Sequence, residues 1–515
     1  MAAYPIPDAR DEFSSAREHL EALIAQLGSA ESGTLTHAAL EELVSREGRE
    51  LERRLYQGHL ELRAAREAKL QSVGGADGVE RTHRRQRSRP LATVFGEVQT
   101  SRWTYGANGH SAVAPLDAAL NLPVELYSHG LRRHAAIEAA RGSFDQAVQA
   151  IERATGCSVP KRQVEQLVVR AAADFDAFYA RGVERELEAT NALLVLTIDN
   201  KGIVMRNEHL REPTRRKAAA AEHKLERRLS KGEKRNRKRM ATVAAVYDLV
   251  PQARTAADVI ADLRPVRDAA KPRPRADNKR VWARVERSAT AVTAELFAEA
   301  QRRDPEHRRH WVALVDGDRS QIARVKDQAR RLGVKLTLVV DFIHVLEYLW
   351  KAAWCFFDQG DRAAEAWVTE RAGWILEGRS SVVAAAIRRS ATRRGLSAES
   401  RKGVDQCASY LRAKRKMLNY PEYLQNGLPI ATGVIEGACR HLVNDRLDIT
   451  GARWSVPGAE AVLRLRSLRS SGDMEEYWRF HLDREHQRNH ASRYAPPSVT
   501  VATPNLRVIQ GGASS

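Results

Sequence analysis

The spacing of apolar residues predicts a chain that switches between helical and sheet-forming stretches. Residues 12–72 carry apolar side chains at steps of three and four, which is typical of amphipathic helices. Residues 91–105 alternate more loosely and turn at "FGE" (residues 95–97), which indicates a small β-hairpin. From residue 123 to residue 188 the spacing is helical again. We therefore expect a mainly helical N-terminal half that contains one hairpin.

Two helices joined by a short turn are predicted within residues 143–172. Their apolar faces consist of Phe144, Ala147 and Ile151 on the first helix, and Val164, Leu167 and Val168 on the second. Pro160 suits the first turn of the second helix. The pattern is compatible with a helix-turn-helix, whose second helix would enter the major groove of DNA. Lys161 and Arg162 are then candidate DNA contacts, although an ordinary helical hairpin would show the same spacing.

Apolar runs typical of buried strands occupy the middle of the chain. An uninterrupted run indicates a strand that is buried on both faces. The runs lie at residues 193–199, 201–206, 240–250, 310–318 and 334–344. An amphipathic helix ending at Gly333 separates the last two, and further helices are predicted over 345–420, 433–447 and 458–471.

Three of these strand-like runs end in an acid, namely Asp199, Asp316 and Asp341. In open α/β sheets, functional groups gather just beyond the strand ends. Carboxylates held close together do not all stay ionised unless a cation joins them. Hard divalent cations prefer such oxygen ligands. The pattern therefore predicts a site for two Mg²⁺ (or Mn²⁺) ions and phosphoryl-transfer chemistry.

The order of elements is that of an RNase H-like α/β core, with a mixed five-stranded sheet and a helical insertion. Strands one and four are neighbours in such a sheet, so Asp199 and Asp316 are expected to share the metals. Asp341 would lie one strand further out, too far to be a first-choice ligand. Asp318 is predicted to begin the next helix as an N-cap, with Gln321 completing a capping box. The alternative for Asp316 is a turn residue within "DGD".

A third acid is expected late in the chain, on a helix. Glu436 lies among small and apolar residues, and we expect Gly437 and Ala438 to let this helix approach the sheet closely. Asp445 and Asp448 stand in a more polar stretch that indicates surface. The alternative for Glu436 is an ion pair with Arg440, four residues on.

Charge adds a candidate partner. Lys and Arg number 84 against 65 Asp and Glu, a net charge of +19, which attracts polyanions such as nucleic acid. The basic stretches 206–239 and 264–287 interrupt the strand region and suit either solvated loops or phosphate contacts. The candidate contacts there are Arg215, Arg216, Lys234, Arg235, Arg237, Lys238 and Arg239.

The remaining composition favours a cytoplasmic, nucleoid-associated protein. No stretch reaches the ~20 apolar residues of a membrane span. The first residues lack the features of a signal peptide. None of the four cysteines forms a CxxC pair, so neither a zinc ribbon nor a disulfide framework is indicated.

These patterns divide the chain into seven segments. They are an N-terminal helical region (1–75), a β-hairpin region (76–122), a helix-turn-helix-like DNA-binding domain (123–190), the first part of the core (191–344) with basic insertions at 206–239 and 251–309, a helical insertion (345–430), the final core helices (431–485) and a disordered tail (486–515).

Four stretches of sequence resemble one family of proteins. They are "VDGD" (315–318), "VVDFIHVLEYLW" (339–350), "ATGVIEGACRHLVNDRLDITGARWS" (431–455) and "AEAVLRLRSLRSSGDMEEYWRFH" (459–481). These stretches closely resemble the ISKra-type bacterial insertion-sequence transposases, which are DDE enzymes with an RNase H-like core. The similarity extends over nearly the whole chain.

The resemblance implies a metal-dependent transposase with Asp199, Asp316 and Glu436 as its catalytic triad. Asp341 and His344 resemble a C/D-x-x-H signature near the site, to which Arg440, Arg453 and Trp454 are added as near-site or DNA-contacting residues. The strand-one motif reads "DNKG" where "DGKG" is expected, and the cysteine pairs of many relatives are absent from residues 101–123.

The expected reaction is cleavage at the ends of the element, followed by attack of the freed 3′-OH on target DNA. The partners would be double-stranded DNA, both the terminal inverted repeats and the target, and further copies of the chain in a homo-oligomer. Two alternatives remain: a catalytically silent, transposase-derived regulator that binds DNA, and an RNase H-like DNA nuclease without strand transfer. The intact set of acids favours an enzyme.

Overall fold

The computed structural model describes residues 12–182, 191–221, 225, 230, 237–263, 274–431, 433–449 and 451–495. The chain forms two compact units. The first contains residues 12–139, 144–167 and 478–495 of the described chain, and the second contains residues 140–143 and 168–477. No helix in the described ranges is long and apolar enough to cross a membrane.

The N-terminal elements confirm the predicted helices and hairpin. They are α1 (Ser14–Leu27), α2 (His37–Ala65), β1 (Val73–Gly74), β2 (Glu80–Arg81), β3 (His83–Thr93), β4 (Gly96–Ala107), β5 (His110–Val113), α3 (Pro115–Ala119), α4 (His129–Arg141), α5 (Phe144–Thr155) and α6 (Lys161–Ala171). The hairpin β3–β4 is longer than predicted, because its pairing extends from Thr93 opposite Gly96 out to His83 opposite Gly106. β5 adds a third antiparallel strand beside β4.

The two helices predicted within residues 143–172 are α5 and α6. Ala147 and Ile151 are buried on the first helix, and Val164 and Leu167 on the second, as the spacing predicts. Pro160 precedes α6, and its carbonyl accepts the amide protons of residues 163 and 164. The pair of helices is therefore confirmed, while DNA reading by α6 stays a prediction.

The remaining elements lie in the second unit, except that the last helix belongs to the first unit from residue 478 onward. They are α7 (Phe175–Ala180), β6 (Leu193–Val204), α8 (Glu212–Ala219), β7 (Lys238–Leu249), α9 (Ala256–Ala261), β8 (Ala276–Arg284), α10 (Ala289–Arg303), β9 (Trp311–Val315), α11 (Arg319–Leu332), β10 (Leu336–Val340), α12 (Phe342–Ala353), α13 (Arg362–Leu376), α14 (Ser380–Arg393), α15 (Lys402–Lys414), α16 (Tyr420–Gln425), α17 (Gly433–Ala438), a π-helix (Cys439–Asn444), α18 (Asp445–Leu447), α19 (Val456–Ser471) and α20 (Met474–Asn489). α20 reaches four residues beyond 485, where the tail was expected to begin. Residues 496–515 of that tail lie outside the described residues.

A mixed five-stranded sheet forms the centre of this unit, in the order β10-β9-β6-β7-β8. β6 pairs with β9, and β9 with β10, in parallel. β6 pairs with β7, and β7 with β8, in antiparallel fashion. The side chains of the first six residues of β6 are all buried, which agrees with a central strand covered on both faces.

Two details of the strand prediction are wrong. The runs 193–199 and 201–206 were expected to be separate strands, yet β6 continues without a break to Val204 because its pairing with β7 runs on to Lys238. The sheet's third strand is instead β8, which lies in a stretch expected to be a basic insertion. β8 is charged in sequence, but Arg280 and Arg284 are buried and form ion pairs with carboxylates on neighbouring helices.

Candidate functional site

Asp199 lies on β6, two residues beyond the end of the parallel pairing with β9, which stops at Thr197 opposite Leu314. Its carboxylate receives two side-chain contacts. Lys201 Nζ lies 3.1 Å from Oδ2, and the Cys439 thiol donates a hydrogen bond to the same oxygen at 3.2 Å. Sequence reasoning missed both partners. Lys201 follows Asp199 by two residues on the same strand face, and this signal could have found it.

Asp316 is the first residue after β9, and the turn that follows is tightly packed. Asp318 donates its backbone amide proton to Asp316 Oδ1 at 2.7 Å, and the Tyr410 hydroxyl donates to the Asp316 carbonyl at 2.8 Å. Gly317 has a φ of +95°, and a Cβ atom there would lie 2.7 Å from the Tyr410 oxygen. The turn therefore needs glycine both for its backbone conformation and for the approach of Tyr410.

The Gln321 side chain forms hydrogen bonds both to β6 and to the end of β9, the two strands that precede or carry Asp316 and Asp199. Its Nε2 donates to the Ile198 carbonyl of β6 at 2.7 Å, and its Oε1 accepts the Asp316 amide proton at 3.2 Å. The side chain is only 2% exposed. Asp318 is the N-cap of α11, as predicted, since its side chain accepts the Gln321 amide proton. The predicted capping box does not form, because the Gln321 side chain is engaged in joining the strands.

Glu436 lies on α17, and its side chain is exposed. α17, the π-helix and α18 together fill the span 433–447 that the sequence predicts as helix. Cys439, which contacts Asp199, follows Glu436 by three residues, so both project from one helix face. π-helical turns of this kind occur often at functional sites.

One expectation and one alternative for the surroundings of Glu436 are wrong. A Cβ atom on Gly437 would meet nothing within 4 Å, so this glycine is not what brings the helix to the sheet. Arg440 is paired with Asp445, at 3.6 Å, rather than with Glu436. The ion-pair alternative for Glu436 therefore loses its partner.

The charges of the three candidate acids influence one another or influence Lys201. Burial raises the pKa of Asp316, and the charge of Asp199 raises it further. Burial works against the charge of Lys201, but Asp199, Cys439 and Glu436 together hold the pKa of this lysine above its usual value. The pKa of the Cys439 thiol is raised by burial and by Asp199. Within the described residues, the ligand atoms of the three acids do not all lie within 4.8 Å of one another.

The donor chemistry of these acids fits hard divalent cations, which prefer carboxylate oxygens. Asp199 and Asp316 carry like charges, and burial together with the charge of Asp199 raises the pKa of Asp316. Lys201 supplies the nearest compensating charge to Asp199. Asp199, Asp316 and Glu436 are the carboxylates that would be available to such cations: Asp199 raises the pKa of Asp316, and Asp199 and Glu436 both raise the pKa of Lys201.

Asp341 and His344 occupy the strand-to-helix turn beside Asp316. Asp341 is 3% exposed, caps α12 by accepting the Ile343 amide proton at 2.8 Å, and donates its own amide proton to Val315 at 2.9 Å. His344 lies close enough to Asp316 to lower its pKa against the effect of burial. Nδ1 of His344 is buried and has no hydrogen-bond partner among the described residues. Asp341 thus has a structural role, and His344 faces the candidate site.

Trp454 and its neighbours hold the segment after α18 against β6. Trp454 is buried, its amide donates to Val204, and its carbonyl accepts from Arg206. The Arg446 guanidinium lies 4.7 Å from the Trp454 ring centre, and burial lowers the pKa of Arg446 to about 10. The ring therefore has a packing role, while Arg453 is exposed.

Most of the candidate DNA-binding cations have partners within the chain. Lys161 pairs with Asp145, Arg215 and Arg216 with Glu212, and Lys238 with Asp448, while Arg239 donates to the carbonyls of Val285, His209 and Glu286. Arg162 is exposed, and Lys234 and Arg235 lie outside the described residues. Contacts of these side chains with DNA, and those of Arg237, Arg440 and Arg453, stay predictions.

No protein-family model matches the chain, and no curated protein sequence matches it. The function proposed below therefore rests on the residues themselves and on their arrangement.

Proposed function

We propose that this chain is a metal-dependent DNA transposase with an RNase H-like catalytic core. It would bind the ends of its own element, cleave DNA there and transfer the freed strand to target DNA. Asp199, Asp316 and Glu436 are the proposed catalytic acids.

The observation that carries the proposal is the position of the first two acids. Asp199 and Asp316 follow the paired ends of two adjacent parallel strands, β6 and β9. If the strands are numbered one to five along the chain from β6, their order across the sheet is five-four-one-two-three. Only the second strand, β7, runs antiparallel to the other four. This is the order expected of an RNase H-like sheet. Glu436 lies on a late helix that shares the electrostatic neighbourhood of Asp199.

Asp199, Asp316 and Glu436 would hold two Mg²⁺ or Mn²⁺ ions in this proposal. When bound, the ions supply an activated water and stabilise the leaving 3′ oxygen. The chain's own residues position the acids: Gln321 fixes the spacing of the two strand ends, and Tyr410 and Gly317 fix the turn that carries Asp316. Lys201 pairs with Asp199, and its side chain is partly exposed, so it would be available to a DNA phosphate.

The test is cleavage and strand transfer by the full chain, with Mg²⁺ and duplexes made from the DNA that flanks its gene. Asp199→Asn, Asp316→Asn and Glu436→Gln should each abolish both reactions while leaving binding to the duplex intact. Asp448→Asn is the matched control, since Asp448 pairs with Lys238 and should tolerate the change.

The outcomes separate the alternatives. Cleavage without strand transfer would indicate a nuclease, and sequence-specific binding without either reaction would indicate a regulator. Full Mg²⁺-dependent cleavage by Asp316→Asn would overturn the assignment of the acids.

A further inference from the structure

In the first unit, the two long edges of the hairpin β3–β4 differ in how their backbone amides and carbonyls are hydrogen-bonded. The free edge of β4 is closed by side chains of α2 and the residues after it. Gln57 accepts the Gln99 amide proton at 2.8 Å and donates to the Gln99 carbonyl at 3.2 Å, and the Glu67 carboxylate accepts the Trp103 amide proton at 2.8 Å. Along the β4 side the hairpin is therefore anchored to the rest of the unit.

The opposite edge, on β3, is open over residues 83–88, the half of the strand that lies away from the β3–β4 turn. β3 is the terminal strand of its sheet, and residues 83–88 are exposed on both faces. The end of β3 nearest the β3–β4 turn is covered, because Ala92 exchanges backbone hydrogen bonds with residues 126 and 128. An open edge presents unpaired backbone amides and carbonyls, which proteins usually protect.

Arginines line this open edge, and we call Arg84, Arg85 and Arg87 the arginine edge. Arg85 and Arg87 form no side-chain hydrogen bond or ion pair within the described residues, and Arg84 has only a long contact of 3.5 Å to the Leu70 carbonyl. By contrast, Arg102 on β4 pairs with Asp117 at 3.0 Å, and Arg81 on the separate strand β2 pairs with Asp77 at 2.8 Å. The arginine edge is therefore a concentration of uncompensated positive charge.

The geometry suits an extended polyanion. Arg85 and Arg87 project from one face of the strand, about 6.8 Å apart, and Arg84 projects from the other. Guanidinium groups bind phosphate through two parallel hydrogen bonds.

We propose that the arginine edge binds the phosphate backbone of double-stranded DNA. The proposal rests on the proposed function and deepens it, because it adds a contact surface outside the helix-turn-helix-like pair and the basic loops. The contact is independent of base sequence, so it would add affinity and orient the duplex without selecting a site.

The experiment measures how the affinity of the full chain for a labelled duplex of arbitrary sequence depends on salt concentration. Each phosphate contact contributes about 0.9 to the slope of log affinity against log salt. Arg85→Gln/Arg87→Gln should therefore lower the slope by up to about 1.8. Arg85→Lys/Arg87→Lys keeps the charge and should retain most of the slope. The matched control is Arg330→Gln/Arg331→Gln, which removes two exposed charges from α11.

An unchanged slope in Arg85→Gln/Arg87→Gln would overturn the proposal, as would an equal loss in the control. If that variant binds DNA normally but self-associates in size-exclusion chromatography, the arginines serve only to protect an open strand edge. Failure of the proposed function is separate: wild-type protein would then neither bind duplex DNA in a salt-dependent way nor cleave it.

Discussion

Replacing Gln321 by Met should loosen the contact that joins the two acid-bearing strands. Met has nearly the same volume and suits a buried position, so packing is kept while both side-chain hydrogen bonds are lost. The Ile198 carbonyl and the Asp316 amide would each lose a partner. Because the Gln321 side chain is only 2% exposed, water does not readily take its place.

The expected magnitude follows from the cost of a buried polar group without a partner, about 1–3 kcal/mol. A loss of that size makes local opening roughly 5- to 150-fold more favourable. The effect should be concentrated at the Asp316 amide, whose protection from hydrogen exchange depends on the Gln321 oxygen. A shift at Asp316 should also weaken Mn²⁺ binding by about 10- to 100-fold, as for other residues that orient metal ligands.

The assay is amide hydrogen exchange followed by mass spectrometry on peptides that cover residues 311–318, with calorimetric titration of Mn²⁺ as the second measurement. Gln328→Met is the matched control, since it makes the same substitution two turns further along α11. If exchange at residues 311–318 were no faster in Gln321→Met than in Gln328→Met, Gln321 would not hold the strand ends together.

Two further predictions concern the charges at the site. Asp316→Asn should stabilise the metal-free protein, by about 0.5–2 kcal/mol, because it removes a half-buried charge beside Asp199 while an amide oxygen can still accept from Asp318. A raised pKa means that the stability contributed by this group is present below the unfolded-state pKa of about 3.9 and is lost as pH rises through the folded-state pKa. The gap in thermal midpoint between variant and wild type should therefore widen as pH rises from about 4 to about 7, and a wild type more stable than the variant at neutral pH would contradict this. Cys439 should resist alkylation by N-ethylmaleimide in the native protein, since burial and Asp199 raise the pKa of its thiol; labelling as fast as that of the half-buried Cys355 would contradict its contact with Asp199.

Local sequence patterns predicted four of the five strands of the sheet but not β8, which is one of its two edge strands. β6, β7 and β9 contain long apolar runs, which is the direct consequence of burial on both faces, while β10 is an apolar run of which only the last two residues are buried. β8 carries buried arginines, and their charges are neutralised by Glu299 on the helix that follows β8 and by Glu460 on a helix far along the chain. When charged residues of a strand find their partners only in the folded state, the sequence alone shows a polar stretch, which is the pattern expected of a loop.

The same distinction applies to the site. The positions of Asp199 and Asp316 just beyond the parallel pairing of β6 and β9 were predictable because each follows an apolar run, and the helical position of Glu436 because it stands among small apolar residues. A shared role for the three acids stays a prediction. Gln321 was assigned to a cap, since its local position three residues after Asp318 allows one. Its actual partners lie on β6 and at the end of β9, and such tertiary contacts leave no local signal.

The most direct test of the central claim is to locate the metal site on the polypeptide itself. Fe²⁺, which can replace Mg²⁺ at oxygen ligands, cleaves nearby backbone when ascorbate and peroxide are added. We expect cuts close to Asp199, Asp316 and Glu436, all suppressed by excess Mg²⁺ and all weakened together by Asp316→Asn. Cuts at only one of these positions, or cuts that Asp316→Asn leaves unchanged, would contradict the claim that the three acids form a single cation site.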